Sequence, residues 1–409
     1  MSVLVFGGNQ MSDPEPGPAD SKGVRRRTVL IGAAGALGTA AVAAVLTGDG
    51  SSKSPAKTAR MSPSSSAATT PAPSPATPPS PPAPSVLTES ALRASFKGYS
   101  GQVAFRPDGR TVAAASRDTG TIDLLDTTTG RIVRTFSSPE IWYSPFSFSP
   151  DGRSLATGGD LPKLWDVDTG RLVRAFPSSQ PRTLVDAVAL SPDGTILAIG
   201  GTRDNYCYIE FRDVDSTKTL GTASTRIDDG NVFELSFSPD GTRLAVGLAG
   251  PVLLLTVPNA NVTATLDDCS GRAIFSRDGK SVFAPGSPFI HPVIQTDAAS
   301  AAATPLLLQP IVGGVNALAV SPDGGTLAVA ADTGFGKSIT EAVWLWDIAH
   351  KRTTRYISLG ADNTSLGPLP PEVGALAFSP DGKTLAVTAM HSEYTGAAVT
   401  GVLQMWEVG

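Results

Sequence analysis

The chain has 409 residues, a formal net charge of −5, and only two Cys and three His. It is too long for one small core. So few Cys and His exclude a Cys-rich zinc module and a disulfide framework, and they leave little material for His-dependent catalysis.

Gly and Pro, 42 and 34 residues, favour turns over long helices. Residues 1–85 carry seven basic and four acidic side chains, which leaves 25 basic and 33 acidic in the remainder, a net of −8. A phosphate backbone needs clustered Lys and Arg. No basic run occurs after residue 85, so nucleic acid is not an expected partner.

Residues 1–24 read as a polar, disordered cytoplasmic stub. Residues 25–47 follow as a basic block and an apolar run. Thr28 to Thr47 is twenty residues without a charge, rich in Ala and Gly, just long enough to cross a bilayer as a helix. Arg26-Arg27-Thr28-Val29-Leu30 resembles a twin-arginine export signal, and Ala41-Val42-Ala43 offers a small-x-small cleavage site. Uncleaved, residues 28–47 are instead a membrane anchor with the arginines on the cytoplasmic side. Both readings stay open, and both place the rest of the chain outside the cytoplasm. No Cys follows the run to accept a lipid.

Residues 48–86 read as a disordered linker. Ser62 to Ser85 contains only Ser, Pro, Ala and Thr, with nine Pro in 24 positions. It has no apolar surface to bury and would reach about 75 Å in polyproline II geometry, at roughly 3.1 Å per residue.

From residue 87 to 409 the chain repeats itself. A Pro-Asp-Gly turn follows a short apolar strand, with its Asp-Gly pair at Asp108-Gly109, Asp151-Gly152, Asp193-Gly194, Asp240-Gly241, Asp278-Gly279, Asp323-Gly324 and Asp381-Gly382. In the fifth copy Arg277 takes the Pro position. Most separations are 42 to 47 residues, the period of four-stranded propeller blades. Pro presets φ, Asp suits the next turn position, and Gly supplies φ > 0.

A second strand follows each turn, such as Thr326-Leu327-Ala328-Val329-Ala330. A third ends in Leu164-Trp165-Asp166-Val167-Asp168-Thr169-Gly170 in copy two, and Trp344, Trp346 and Trp406 mark copies six and seven. Copies four and five lack the Trp-Asp pair, and their third strands read as Val252–Thr256 and Phe289–Ile294. The segment Ala91–Phe96 matches the fourth-strand patterns Arg131–Phe136 and Arg171–Phe176. The chain stops after the third strand of copy seven, so this segment is expected to supply the missing strand and close the ring.

On these motifs the chain resembles a WD-repeat β-propeller of the divergent bacterial kind. The resemblance implies an all-β fold: a seven-bladed β-propeller of four-stranded antiparallel blades, monomeric, with the last blade closed by the domain's N-terminal strand. No copy has the family's Gly-His dipeptide, so its Asp-His-Ser-Trp hydrogen-bond network cannot form in full.

In such a ring the Pro-Asp-Gly and Thr-Gly turns share one face. The variable loops, including an expected loop at Thr202–Cys207, share the other. The leading functional reading is a non-enzymatic scaffold that binds a protein or peptide on this loop face. Its candidate contacts are Trp142, Tyr143, Arg203, Asp204, Tyr206, Phe335, His391 and Tyr394, aromatic or charged side chains on loops. Trp165, Trp344, Trp346 and Trp406 are assigned to blade packing. A channel hydrolase or lactonase-like enzyme and a structural envelope protein are the alternatives.

No catalytic residue, metal site or cofactor motif is found. His291, His350 and His391 are far apart in sequence, and Asp228-Asp229-Gly230-Asn231 lacks the further oxygen ligands of a calcium loop. Cys207 and Cys269 read as unpaired, since a bridge needs Cα atoms within about 7 Å.

Overall fold

The computed structural model describes residues 83–116, 118–137, 145–177, 184–226, 231–286, 293–306, 314–332, 341–359, 372–391 and 400–409. They form seven antiparallel sheets, or blades. Blade one consists of Val103–Phe105, Thr111–Ser116, Thr121–Asp126 and Ile132–Ser137, paired in sequence order from the inside out. The other inner strands are Phe146–Phe148, Leu184–Leu190, Val232–Phe237, Ile274–Phe275, Val315–Val320 and Glu372–Phe378.

Blade seven closes as expected. Leu92–Lys97 pairs antiparallel with Thr400–Glu407, and Phe96 lies opposite Leu403.

The apolar residues make no single central core. They divide into seven clusters, each trapped between two neighbouring sheets. Ile209 and Phe211 of blade three meet Leu244 and Val246 of blade four, and Val112 and Ala114 of blade one meet Leu403 and Met405 of blade seven. A sheet sandwiched on both faces must be apolar on both faces. That accounts for second strands that read as continuous apolar runs rather than alternating ones. Small Ala at the tightest position, Ala113, Ala156, Ala198, Ala245, Ala328 and Ala386, lets the blades approach, and each is fully buried.

The repeated turn is a self-contained hydrogen-bond unit. In blade four the Ser238 hydroxyl donates to Asp240 at 2.5 Å and accepts from the Arg243 amide at 2.9 Å. Asp240 also accepts from the Thr242 amide at 3.1 Å. The same pattern holds at Ser149, Ser191, Ser276, Ser321 and Ser379. The turn Gly sits at φ near 70° throughout, for example 70° at Gly241 and 75° at Gly194. A Cβ at Gly241 would stand 3.6 Å from Pro192, the turn Pro of the preceding blade, and one at Gly109 would stand 3.7 Å from Pro380. The Pro of each turn thus rests on the Gly of the next. In blade five, where Arg277 replaces Pro, Gly324 meets Arg277 instead. Blade one has Arg106 in place of Ser, and its guanidinium reaches Asp168 of blade two at 2.9 Å.

The Thr-Gly turns follow a similar logic. Asp166 accepts from the Thr169 amide and hydroxyl at 2.7 and 2.6 Å. The position of Gly170 is left-handed in every described copy of this turn that lacks Gly, at Thr217, Ala260, Ala301 and Lys351.

Two features depart from the sequence reading, and one extends it. The third strand of blade five is described over Val293–Asp297, sharing Val293 and Ile294 with the expected Phe289–Ile294, whose first four residues lie outside the described residues; Asp297 makes the Asp turn there by accepting from the Ser300 amide and hydroxyl. The expected loop at Thr202–Cys207 is a tight hairpin. Asp204 and Asn205 take φ of 49° and 64°, the two-residue turn that matches strand twist, so the strands run on to Arg203 and Tyr206. Finally, Ser85–Leu87, at the end of the expected linker, pairs parallel with Arg352–Ser358 as a fifth strand on blade six. A single 3₁₀ turn, Glu89–Ala91, carries the chain from there to the closing strand.

Candidate functional site

The loop end of the ring holds the central channel mouth. Its lining comes from around the start of the inner strands. A bulge there, between Val185 and Ala187, Val232 and Glu234, Val315 and Ala317, and Val373 and Ala375, re-aims one residue in each of blades three, four, six and seven.

Arg272 of blade five spans this mouth. Its Nη1 donates to Glu234 of blade four at 3.0 Å, its Nε to the Asn316 carbonyl of blade six at 3.1 Å, and its Nη2 to the Gly374 carbonyl of blade seven at 3.0 Å. Further polar groups join neighbouring blades. Gln102 exchanges two 2.9 Å bonds with the Phe146 backbone. Asp186 accepts from the Thr202 hydroxyl at 2.8 Å and the Val232 amide at 3.5 Å. Glu341 accepts from the Val373 amide at 2.6 Å and the Asn316 side chain at 3.0 Å. The Thr388 hydroxyl donates to the Gly101 carbonyl at 2.7 Å.

About 50 Å³ stays free among Gln102, Asp186, Phe233, Glu234 and Arg272. That is room for a few waters, well short of the roughly 300 Å³ at which substrate pockets begin.

Electrostatics differ between the two ends. Removal from water raises Asp186 above the usual carboxylate range, and it raises Glu234 against the pull of Arg272. At the turn end the Ser hydroxyl and amide donors hold Asp151, Asp193, Asp278, Asp323 and Asp381 low, and Asp240 falls to about 2. The lowered carboxylates stabilise the fold above their unfolded pKa, near 3.9, and that stability is lost as pH falls through the folded values, toward 2 for Asp240. The two raised carboxylates act oppositely, and their penalty shrinks as pH falls from neutral. Thermal melts across pH should therefore show greatest stability around pH 4–5 and a steep loss below. Asp240→Asn should soften the acid limb. A stability that climbs steadily from pH 4 to 8 would contradict this assignment.

Arg203, Asp204 and Tyr206 come together at the tip of the blade-three hairpin. Arg203 Nε lies 3.1 Å from Asp204, and the Tyr206 ring lies 6.3 Å from Tyr208. Trp142, Tyr143, Phe335, Tyr394, His291, Asp228, Asp229 and Gly230 lie outside the described residues, as do the export-signal arginines Arg26 and Arg27 and the apolar run 28–47. His391 ends a strand of blade seven, Thr384–His391, and its side chain is likewise outside the description. His350 caps a turn, with Nδ1 2.8 Å from Asp347.

Trp344 and Trp346 are buried in the cluster shared by blades five and six, and Trp344 stacks on Tyr356 at 4.7 Å. Trp406 is buried in the cluster shared by blades six and seven. Trp165 donates to Thr157 at 3.0 Å, the single Trp-to-hydroxyl leg of the expected network among the described residues. Cys207 and Cys269 are free thiols in two different interblade clusters. Burial pushes Cys207 up to about 12, which keeps it protonated. Among the described residues no group of three His, Cys, Asp or Glu is placed to hold a metal ion, and no helix is long and apolar enough to cross a membrane.

Sequence reasoning missed Leu184, Asp186, Phe233, Glu234 and Arg272. A signal existed. Aligned on their turns, copies one, three, four, five and six carry Gln102, Asp186, Glu234, Arg272 and Asn316 six or seven positions before the turn Asp, at the start of otherwise apolar inner strands.

Seven blades of four antiparallel strands each, one of them extended by a fifth strand and the last closed by Leu92–Lys97, define the class, a seven-bladed β-propeller. No protein-family model matches the chain. It is 34% identical over 143 residues to the WD repeat-containing protein WDS homolog of Arabidopsis thaliana, covering 34% of this chain and 27% of that protein. It is 30% identical over 151 residues to the WD repeat-containing protein 26 homolog of Drosophila melanogaster, covering 36% and 23%. A WD repeat-containing protein of Synechocystis sp. is 29% identical over 173 residues, covering 41% and 46%. The chain spans less than half the length of these relatives. The β-propeller domain of Cps50 (Swd1) from Myceliophteria thermophila superposes with a TM-score of 0.57 at 17% identity, over 78% of this chain and 99% of that one. The likeness there is one of fold. Over these stretches the chain is similar to WD-repeat proteins, and it shares the seven-bladed β-propeller fold.

Proposed function

We propose that this protein is a non-enzymatic scaffold, displayed outside the cytoplasm, that binds a protein or peptide on its loop face. One observation carries the reading. Large apolar side chains stand exposed at the loop end of blades two to four, at Leu161, Leu184, Tyr206 and Phe233, on a ring that holds them rigidly. At the opposite end the turns use their own polar groups internally. Exposed aromatic and aliphatic anchors on a fixed frame are what protein recognition uses, and a channel mouth filled by Arg272 favours surface binding over internal chemistry. The WD-repeat names of its relatives support the same reading. The twin-arginine-like segment and the Pro-rich spacer support display beyond the membrane, whether the signal is cleaved or kept as an anchor.

The test is crosslinking on intact cells with a membrane-impermeant reagent, using the full chain tagged at Gly409. One saturable partner is expected. Capture should fall about tenfold or more with Phe233→Ser, and also with Trp142→Ala and Tyr143→Ala combined, as for interface anchors. Capture that survives both changes would place binding elsewhere, and labelling of the propeller only after lysis would overturn display outside the cell.

A further inference from the structure

We infer that the loop face of blades three to five selects a cationic, apolar segment: a stretch of partner chain in which Lys or Arg alternates with aliphatic or aromatic residues. This deepens the loop-face reading above and rests on it. The apolar half of the argument is Leu184, Tyr206 and Phe233, which are 55%, 43% and 41% exposed. All three stand at the loop edge of blades three and four. Leu184 pairs with Thr202 on the face of blade three that turns toward blade four, Tyr206 pairs with Arg203 on the opposite face, and the Asp186–Val232 contact joins the edge with Leu184 to the strand carrying Phe233.

The charge half is an imbalance at the same end. Among the described residues Asp186, Asp204, Glu234, Asp267 and Asp268 stand against Arg203, Arg226 and Arg272. Two of those three guanidiniums are already paired, Arg203 with Asp204 and Arg272 with Glu234. The Asp186 carboxylate borders the free volume beside Phe233 and takes only neutral donors, the Thr202 hydroxyl and the Val232 amide. Asp267 and Asp268 are exposed at the entry to blade five. At the turn end, by contrast, four of the seven turn carboxylates have a cation two residues on, Arg110, Arg153, Lys280 and Lys383, and all seven belong to turns that use them internally. A partner bringing positive charge to this apolar ledge gains complementary potential, and one bringing carboxylates is repelled.

The experiment uses the full chain and three fluorescent dodecapeptides, alternating Lys with Leu, Glu with Leu, and Lys with Ser, read by anisotropy at low and high salt. The Lys/Leu probe should bind and weaken with salt. The Lys/Ser probe should bind about tenfold more weakly, and the Glu/Leu probe not measurably. Phe233→Ser, and the exposed pair Asp267→Asn with Asp268→Asn, should each weaken the Lys/Leu probe about tenfold. Ile132→Ser on the outer edge of blade one should change nothing. Equal binding of Lys/Leu and Glu/Leu, lost on Phe233→Ser, overturns cation selection and leaves the loop face standing as a binding surface. Binding insensitive to Phe233→Ser, or no binding by any probe, overturns the inference. If Phe233→Ser and the combined Trp142→Ala and Tyr143→Ala change also leave capture on cells intact, the loop-face reading falls with it.

Discussion

A chain that begins at Gly98 is expected to lose the cooperative folded ring, whereas one that begins at Thr88 should keep it. The difference lies in what each cut removes. Starting at Gly98 deletes Leu92–Lys97, the outer strand of blade seven, and with it the antiparallel ladder to Thr400–Glu407. It removes Leu92, Ala94 and Phe96 from two interblade clusters. It also deletes Arg93, whose guanidinium lies 3.1 Å from Glu407, and uncovers Leu403, Met405 and Trp406.

Phe96 does more than fill its own blade. A Cβ at Gly130 would approach its ring to 2.3 Å, so the closing strand packs under a turn of blade one and joins the two ends of the repeat. Two lost apolar anchors at about 1.5–3 kcal/mol each, with several ladder bonds at about 1 kcal/mol each, approach the whole stability of a domain, about 5–15 kcal/mol. Of the described elements, starting at Thr88 removes only the parallel Ser85–Leu87 strand, in which Val86 is exposed and Leu87 packs at the margin of the cluster between blades six and seven, and it should lower Tm by a few degrees. Circular dichroism melts with size-exclusion chromatography distinguish the two. A Gly98 start that melts cooperatively near the parent Tm would mean the ring closes without its clasp.

Closure was legible in sequence because a fourth-strand pattern was left over at one end and missing at the other. The turns were legible for a related reason, since their chemistry is local. Ser, Asp and Gly within four residues satisfy one another, so the motif recurs wherever the backbone makes that turn. Two features defeated local reading. Asp204-Asn205 reads as loop by composition, yet both residues tolerate left-handed backbone, and the flanking strands simply continue through them. In blade five the strand runs on to Asp297, past the apolar stretch at Val293 and Ile294, because the Asp297 turn behind it sets the register. The channel mouth was hidden because its residues have no shared identity. Asp186, Phe233, Asn316 and Gly374 occupy one bulge position and do four different things there.

Arg272 is the residue whose loss should be felt across most of the ring. Arg272→Ala leaves Glu234 in a poorly hydrated site without its cation, and it strips two carbonyls, of Asn316 and Gly374, of their donors. Breaking a mostly buried pair from one side costs up to roughly 3 kcal/mol, which corresponds to a Tm loss of up to roughly 4–5 °C for a ring of about 320 residues at about 2.1 cal/mol/K per residue.

Arg272→Lys should recover only part of this. An ammonium can meet Glu234 but cannot donate along three fixed directions to blades four, six and seven. Glu234→Gln placed on Arg272→Ala should restore stability relative to Arg272→Ala alone, because the orphaned charge is gone. The pH dependence carries the same signature. Glu234 is already raised by desolvation, and without the guanidinium it rises further. The deficit of Arg272→Ala should therefore be largest at neutral pH and shrink toward pH 5 as the carboxylate takes up a proton. A deficit that is constant with pH, and unchanged by Glu234→Gln, would mean that the two carbonyl bonds, rather than the ion pair, hold blades four to seven together at the channel mouth.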